Sequence, residues 1–240
     1  MPEEYNLEGA LESMRAPLRR YAETLKELAG DSARSLTLFG AVAAGTFNPR
    51  SHTARSVFVV GDVDLDMLHR LARQGPRLGK ARIAAPLIMT PEYIEASLDT
   101  FPLEFLEIAQ HHIRVFGEDY FRELPLQAAD VRHECEREIK TIQLGMRQAL
   151  LAAAGRDKAL TTVEVDVGER LLRSLRGLLW LHGETEPRAA LDAVAAVEGG
   201  IQRSLPGVRS AVDNRGDHGW EEFKTLYADV DALRTHINAW

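Results

Sequence analysis

Apolar spacing changes character at Pro125, and that change constrains the fold more than any other feature of the chain. Up to that point, short runs of strand formers alternate with short helical patterns. Beyond it, strand signals nearly vanish, and apolar residues recur three or four apart over long stretches, the spacing of a helical stripe that must be buried. The pattern predicts an α+β fold, with a mixed sheet and flanking helices over residues 1–123 and a helical bundle over 124–240. No flexible linker marks the junction, so two packed lobes are expected.

Within the first part, Leu7, Leu11, Met14, Leu18, Tyr21, Leu25 and Leu28 form one helical stripe, closed by Gly30. Ser35–Gly40 reads as a strand running into a flexible turn, short helix and loop over 40–50, and Ser56–Gly61 as a second strand. Asp62–Arg73 reads as a helix that starts on an aspartate cap, with Leu65, Leu68 and Leu71 along one face. The stretch 74–82 reads as a loop, and Ile83–Met89 as a third strand with Pro86 near its edge or start. Thr90 caps a short helix over 91–98 that begins with Pro91. Phe101–Ile108 alternates apolar and acidic residues in part, as a half-exposed strand would, and Ile113–Gly117 is a further strand. In the second part helices are expected near 127–154, 159–182, 187–203 and 218–238, with breaks at Gly155, at Gly183 with Pro187, and over 206–219.

The chain has 240 residues and a hydrophobic content of 45%, enough for a real core. Its net charge of −7 argues against broad binding to a phosphate backbone, so nucleic acid is disfavoured as a partner. The one cysteine, Cys135, cannot close an internal disulfide, residues 1–6 contain no apolar signal core, and no apolar run approaches the roughly 20 residues needed to span a bilayer. A cytoplasmic protein with no membrane role is expected.

Leu38-Phe-Gly-Ala41 followed by Gly45-Thr-Phe-Asn-Pro49, then a loop and an apolar strand, resembles the glycine–serine turn and second strand of the nucleotidyltransferase superfamily. The wider run from Ala85 to Ile108, with Val115-Phe-Gly-Glu-Asp119 and Cys135-Glu-Arg-Glu-Ile-Lys140, resembles a bacterial group of nucleotidyltransferase-like proteins in which an α/β domain precedes a helical region. The resemblance covers nearly the whole chain. It implies a nucleotidyltransferase-like sheet, with ligand-binding positions at Gly40, Ala41, Gly45 and Ser56.

In active members of that superfamily the glycine turn lets backbone amides approach nucleotide phosphates, the adjoining serine adds a hydroxyl, and two aspartates one residue apart on the next strand hold magnesium. Strand alternation makes such a pair project together. Here Ala41 replaces the serine, and registering Ser56–Val60 on the second strand puts Ala54 and Ser56 at the aspartate positions, with Arg55 between them. A third carboxylate would come from Glu104 or Glu107 on a later strand. No metal site is expected from this set. Asp62-Val-Asp64-Leu-Asp66 offers an alternative pair with the right spacing, weighed against a helix N-terminus where aspartates cap and complement the dipole.

Other residues invite the same comparison. His111 and His112 lie beside Glu104 and Glu107, yet neighbours on a strand point to opposite faces, so a surface pair at a strand edge is expected rather than a metal site. Arg176 and His182 have the loose spacing of small helical ribonucleases, but fall among leucines on a very apolar helix. Lys140, Arg147, Arg170, Arg173 and Arg176 could meet an anionic ligand or be a solvated helix face. Trp180, Trp220 and Trp240 read as packing aromatics, and Cys135 as a half-buried helix residue without a nucleophile's surroundings.

Two functions follow. The first is a catalytically inactive nucleotidyltransferase-fold protein, a pseudoenzyme, with a ligand-binding, regulatory or protein-interaction role. Its partners would be a nucleotide or other small anion, a protein, or a second copy of the chain. The second is an active magnesium-dependent nucleotidyltransferase that uses Asp62, Asp64 and Glu104 or Glu107 to move a nucleotide monophosphate from a nucleoside triphosphate to a small molecule or protein.

Overall fold

A computed structural model describes residues 5–50, 52–154, 156–186, 188–213 and 219–237. The expected breaks at Gly155 and Pro187, the stretch 214–218 and Trp240 lie outside the described residues. Two compact units are present: Met1–Thr100 with Glu104–Pro125, and Phe101–Leu103 with Leu126–Trp240.

In the first unit, helix α1 (Glu12–Ala29) buries Met14, Leu18, Tyr21, Ala22 and Leu25 on one stripe. It ends at Gly30, whose N–H makes the last helical bond, to the Lys26 carbonyl, and whose φ of 54° turns the chain out of the helix. Strands β1 (Ala33–Phe39) and β2 (Arg55–Val60) follow, then α2 (Leu65–Ala72), α3 (Gly75–Lys80), β3 (Leu87–Met89), α4 (Pro91–Ala96), α5 (Pro102–Gln110), whose first two residues belong to the second unit, and β4 (His112–Gly117). The sheet order is β3-β2-β1-β4. β1 pairs antiparallel with β2 and β4, and β2 pairs parallel with β3.

Alternation divides the sheet into two faces. Leu36, Leu38, Phe58 and Val60 join a core with Leu18, Tyr21 and Leu25 of α1 and Met67 and Leu71 of α2. Each such side chain contributes about 2 kcal/mol of transfer free energy when fully buried. Thr37, Phe39, Arg55, Val57 and Val59 occupy the other face, through the pairings Phe39↔Arg55, Thr37↔Val57 and Ser35↔Val59. Gly117 ends β4 opposite Ser35 at φ 78°, and a Cβ there would lie 1.8 Å from the Arg34 carbonyl oxygen.

The second unit contains α6 (Ala128–Ala153), α7 (Asp157–Leu181), α8 (Ala190–Ile201), α9 (Pro206–Asp213) and α10 (Trp220–His236). Helix α7 approaches its neighbours closely at two glycines. A Cβ on Gly168 would lie 2.5 Å from the Ala211 carbonyl of α9, and one on Gly177 would lie 2.5 Å from Leu103 and 2.7 Å from the Cys135 sulfur.

Four expectations are corrected. Phe101–Ile108 is not a strand: from Pro102 on it belongs to α5, in which Glu104, Glu107 and Gln110 are spaced three apart while the residues between them are mostly buried. The 74–82 loop contains α3. The proposed break over 206–219 contains α9, whose first N–H groups are satisfied by Asp229 of α10. The third strand is only Leu87–Met89, while Ile83 makes an isolated parallel bridge to Ala54.

Candidate functional site

The turn after β1 is built on Gly40, at φ 69°. An L side chain is strained there, and glycine also leaves the turn backbone open to close approach. Residues Gly40–Val42 form a single 3-10 turn in which the Gly40 carbonyl accepts the N–H groups of Ala43 and Ala44, the latter at 2.9 Å. Thr46 N–H returns to the Ala41 carbonyl at 3.0 Å. Ala41 packs partly against the α1-side core, and Gly45 sits at φ 71° in open space.

Beside Gly40 lies Arg55. It opens β2 directly opposite Phe39, and its guanidinium carbon sits 4.3 Å from the Phe39 ring centroid. This cation–π contact contributes between about 0.5 and 2 kcal/mol, depending on desolvation. Arg55 Nη1 donates to Glu107 Oε1 at 2.8 Å, with the side chains 42% and 18% exposed. An ideal Cβ on Gly40 would be 3.8 Å from Arg55 Nη1 and 3.9 Å from Glu107 Oε1. The glycine turn, the cation and the carboxylate therefore meet at one point, with Phe39 as the platform under the guanidinium.

Ser56 faces the other way. Its hydroxyl is 2.8 Å from the Tyr21 hydroxyl, buried against α1. Burial holds the Tyr21 phenol well above its ordinary pKa, so it stays protonated and able to donate. Ala54, on the same side as Ser56, is also buried and supplies no donor atom. The positions where the resemblance requires aspartates are thus an alanine and a hydroxyl already engaged in the core, while the adjoining residue brings a positive charge to Glu107. This set of side chains does not suit magnesium. Among the described residues, no group of three His, Cys, Asp or Glu is placed to hold a metal ion.

Asp62 and Asp64 belong to the opposite end of the sheet. The β1–β2 register runs from Phe39↔Arg55 to Ala33↔Val60, roughly 20 Å at a strand's rise per residue, and Asp62 follows beyond it. Its N–H bonds Ser32 Oγ at 3.2 Å. Asp64 is the N-cap of α2, accepting the N–H groups of Asp66 at 2.9 Å and Met67 at 3.2 Å. Glu104 lies one turn before Glu107 on α5, so the third carboxylate comes from a helix rather than a strand.

The remaining candidates have structural surroundings. His112 is half-buried rather than a surface residue: Nδ1 is 3.1 Å from the Ile108 carbonyl and Nε2 is 3.0 Å from Asp119 Oδ1. Arg122 reaches the other Asp119 oxygen at 3.3 Å. In the second unit Lys140 pairs with Glu136, Arg170 with Glu138 at 2.7 Å, Arg147 donates to the Tyr227 hydroxyl at 2.6 Å, and Arg176 to the Arg188 carbonyl at 3.2 Å. His182 is the C-cap of α7. Trp180 is half-buried, whereas Trp220 is 43% exposed. Cys135 is fully rather than half buried, and burial pushes its thiol up to about 12.

The sequence offers Gly40 and Glu107 as candidates and notes Arg55 only as the residue between the two aspartate positions; it misses Phe39 as the platform and the convergence of the others on it. Two signals could have supplied it. The three-residue spacing of Glu104, Glu107 and Gln110 marks a helix, and strand alternation sets Arg55 on the face opposite Ala54 and Ser56.

No family model matches the chain, and no curated protein matches it. A search of solved structures gives a match to spectinomycin adenyltransferase AAD(9) from Enterococcus faecialis, solved with ATP and spectinomycin. The similarity covers 93% of this chain and 98% of the adenyltransferase, at 10% sequence identity and a TM-score of 0.56. Sheet, flanking helices and C-terminal helices together make this a nucleotidyltransferase-like α+β fold.

Proposed function

We propose that this protein is a catalytically inactive nucleotidyltransferase-fold protein that binds a nucleotide or a related small anion at the Gly40 turn without a metal ion. The observation that carries the reading is the Arg55–Glu107 pair beside Gly40, at 2.8 Å. A carboxylate that would help to hold a divalent ion instead neutralises a guanidinium. Metal-assisted phosphoryl transfer needs a cation bridged to the phosphates and held by several carboxylates, and the carboxylate beside the turn, Glu107, is already paired with a guanidinium. The helix-cap role of Asp64 and the sheet-end position of Asp62 support the same reading, because they separate both residues from the turn. The adenyltransferase of similar fold was solved with ATP, which makes ATP the first ligand to try.

Calorimetric titration of ATP into the full chain, with EDTA and then with magnesium, tests the proposal. Binding of similar affinity in both buffers is expected. Binding in the micromolar range that appears only with magnesium, or pyrophosphate release from ATP, would favour the magnesium-dependent transferase.

A further inference from the structure

We propose that Arg55 is the phosphate-binding group of this site, a side-chain cation in the place of a metal, and that Glu107 both positions it and competes with the ligand for it. The inference rests on the metal-free reading given above and adds the residue that recognises the ligand and the sign of its neighbour's effect. The ligand class is a phosphate-bearing anion, a nucleotide or an inorganic polyphosphate.

A guanidinium offers five N–H donors in a planar fork that matches two phosphate oxygens at once. In Arg55 one of its nitrogens, Nη1, is committed to Glu107, and the side chain remains 42% exposed, which leaves the Nε–Nη2 edge for a ligand. Its orientation is already set. Phe39 lies under the plane at 4.3 Å and Glu107 holds one end at 2.8 Å, so less rotamer entropy is lost when an anion docks than for a freely moving arginine. Gly40 keeps the adjacent turn bare, since a Cβ there would touch both Arg55 Nη1 and Glu107 Oε1. The turn lies against the Nη1 and Cδ side of Arg55, the side that Glu107 holds, and the Nε–Nη2 edge is the opposite one.

The same geometry explains why a divalent cation is a poor guest. Glu107 would have to release its guanidinium to ligate it, and the displaced positive charge would remain within a few ångströms of the ion. It also gives Glu107 an unusual sign. Its negative charge holds Arg55 in place but repels an incoming phosphate, so neutralising it relieves repulsion and frees a donor. For a metal ligand the same substitution would weaken binding.

The test is titration of ATP and, separately, inorganic triphosphate into the full chain and into the variants Arg55→Gln, Arg55→Lys and Glu107→Gln, in EDTA and in magnesium. Thermal melts of each variant without ligand establish that it is folded. In EDTA, Arg55→Gln is expected to weaken binding by roughly tenfold or more, and Arg55→Lys by less, as one point charge replaces a fork. Glu107→Gln is expected to tighten binding by about threefold or more. Metal-free binding that persists unchanged in Arg55→Gln, or that weakens in Glu107→Gln, overturns the assignment and leaves the metal-free reading standing. Binding by the unaltered chain that requires magnesium overturns both, and absence of binding in both the unaltered chain and Glu107→Gln overturns the assignment.

Discussion

Ser56, expected from the sequence to bind a ligand, has a structural role in the fold. Its hydroxyl and that of Tyr21 satisfy each other in a site where neither meets solvent. Removing one partner strands the other, and a stranded buried hydroxyl costs about 1–3 kcal/mol, more than the net value of the bond itself. Ser56→Ala should therefore destabilise the protein by about 1–2 kcal/mol in urea denaturation while leaving ATP affinity unchanged, and Tyr21→Phe combined with it should cost less than the two singles added. Ser56→Asp is the sharper case. It places an aspartate at the position where the resembled pattern has one, yet the side chain would point into the α1 core, so an ionised carboxylate would be buried without a partner. The expected result is a lower melting temperature at neutral pH that recovers toward acid, where the new group protonates, and no gain of magnesium binding. A magnesium-dependent rise in stability would show that residue 56 can reach the turn after all.

Among the elements, α9 and α10 depend on each other through Asp229. The carboxylate is buried and accepts the N–H groups of Gly207 at 2.6 Å and Val208 at 3.2 Å, capping α9 from a neighbouring helix. A Cβ on Gly207 would lie 2.4 Å from the Leu226 amide nitrogen, so only glycine admits α10 this close. Burial lifts the Asp229 pKa above its ordinary 3.8, and the two backbone N–H bonds only partly offset that. The sign follows from linkage. The folded state holds this proton more tightly than the unfolded chain, so the contribution is fully present below 3.8 and is lost as pH rises through the raised folded value. Urea midpoints for the unaltered chain and Asp229→Asn, measured across the acid range, should diverge in favour of the variant as pH increases; a constant difference would mean that Asp229 titrates normally. This helix also marks a limit of sequence reading. Its cap lies 22 residues downstream of Gly207, so the local sequence shows only Pro206, Gly207 and a polar stretch, which look like a break. By contrast α1, α2 and α4 carry their own stripes and end signals, and are legible locally. β1 and β2 are legible as strands, but which face each side chain takes depends on where α1 packs, and that decided the fate of Ser56 and Arg55.

At the scale of the whole molecule, the boundary between the two units does not follow the chain simply, because Phe101–Leu103 belongs with the helices while Glu104–Pro125 belongs with the sheet. A change of periodicity along the chain cannot reveal three residues, Phe101–Leu103, that belong with the helical unit although Glu104 and its successors do not. Leu103 is 2% exposed and sits, with the Cys135 sulfur, against the bare Cα of Gly177. The thiol is fully buried, donates to the Ser174 carbonyl at 3.6 Å and is pushed up to about 12, so attack by a disulfide reagent at neutral pH requires the helical unit to open. Cys135 is therefore a built-in reporter of that opening, and being the only cysteine it is read without ambiguity. Leu103→Ala leaves a cavity at Gly177 that should cost about 3 kcal/mol. Where reclosing is faster than labelling, the rate follows the open population, so a cost of that size should raise Cys135 labelling on the order of a hundredfold under native conditions. Equal labelling rates in the two proteins would place Leu103 outside the packing that protects the thiol. A large increase would instead establish that a three-residue segment far from the bundle in sequence is one of its structural members, and that truncating the chain at Pro125 would remove part of the helical core along with the sheet.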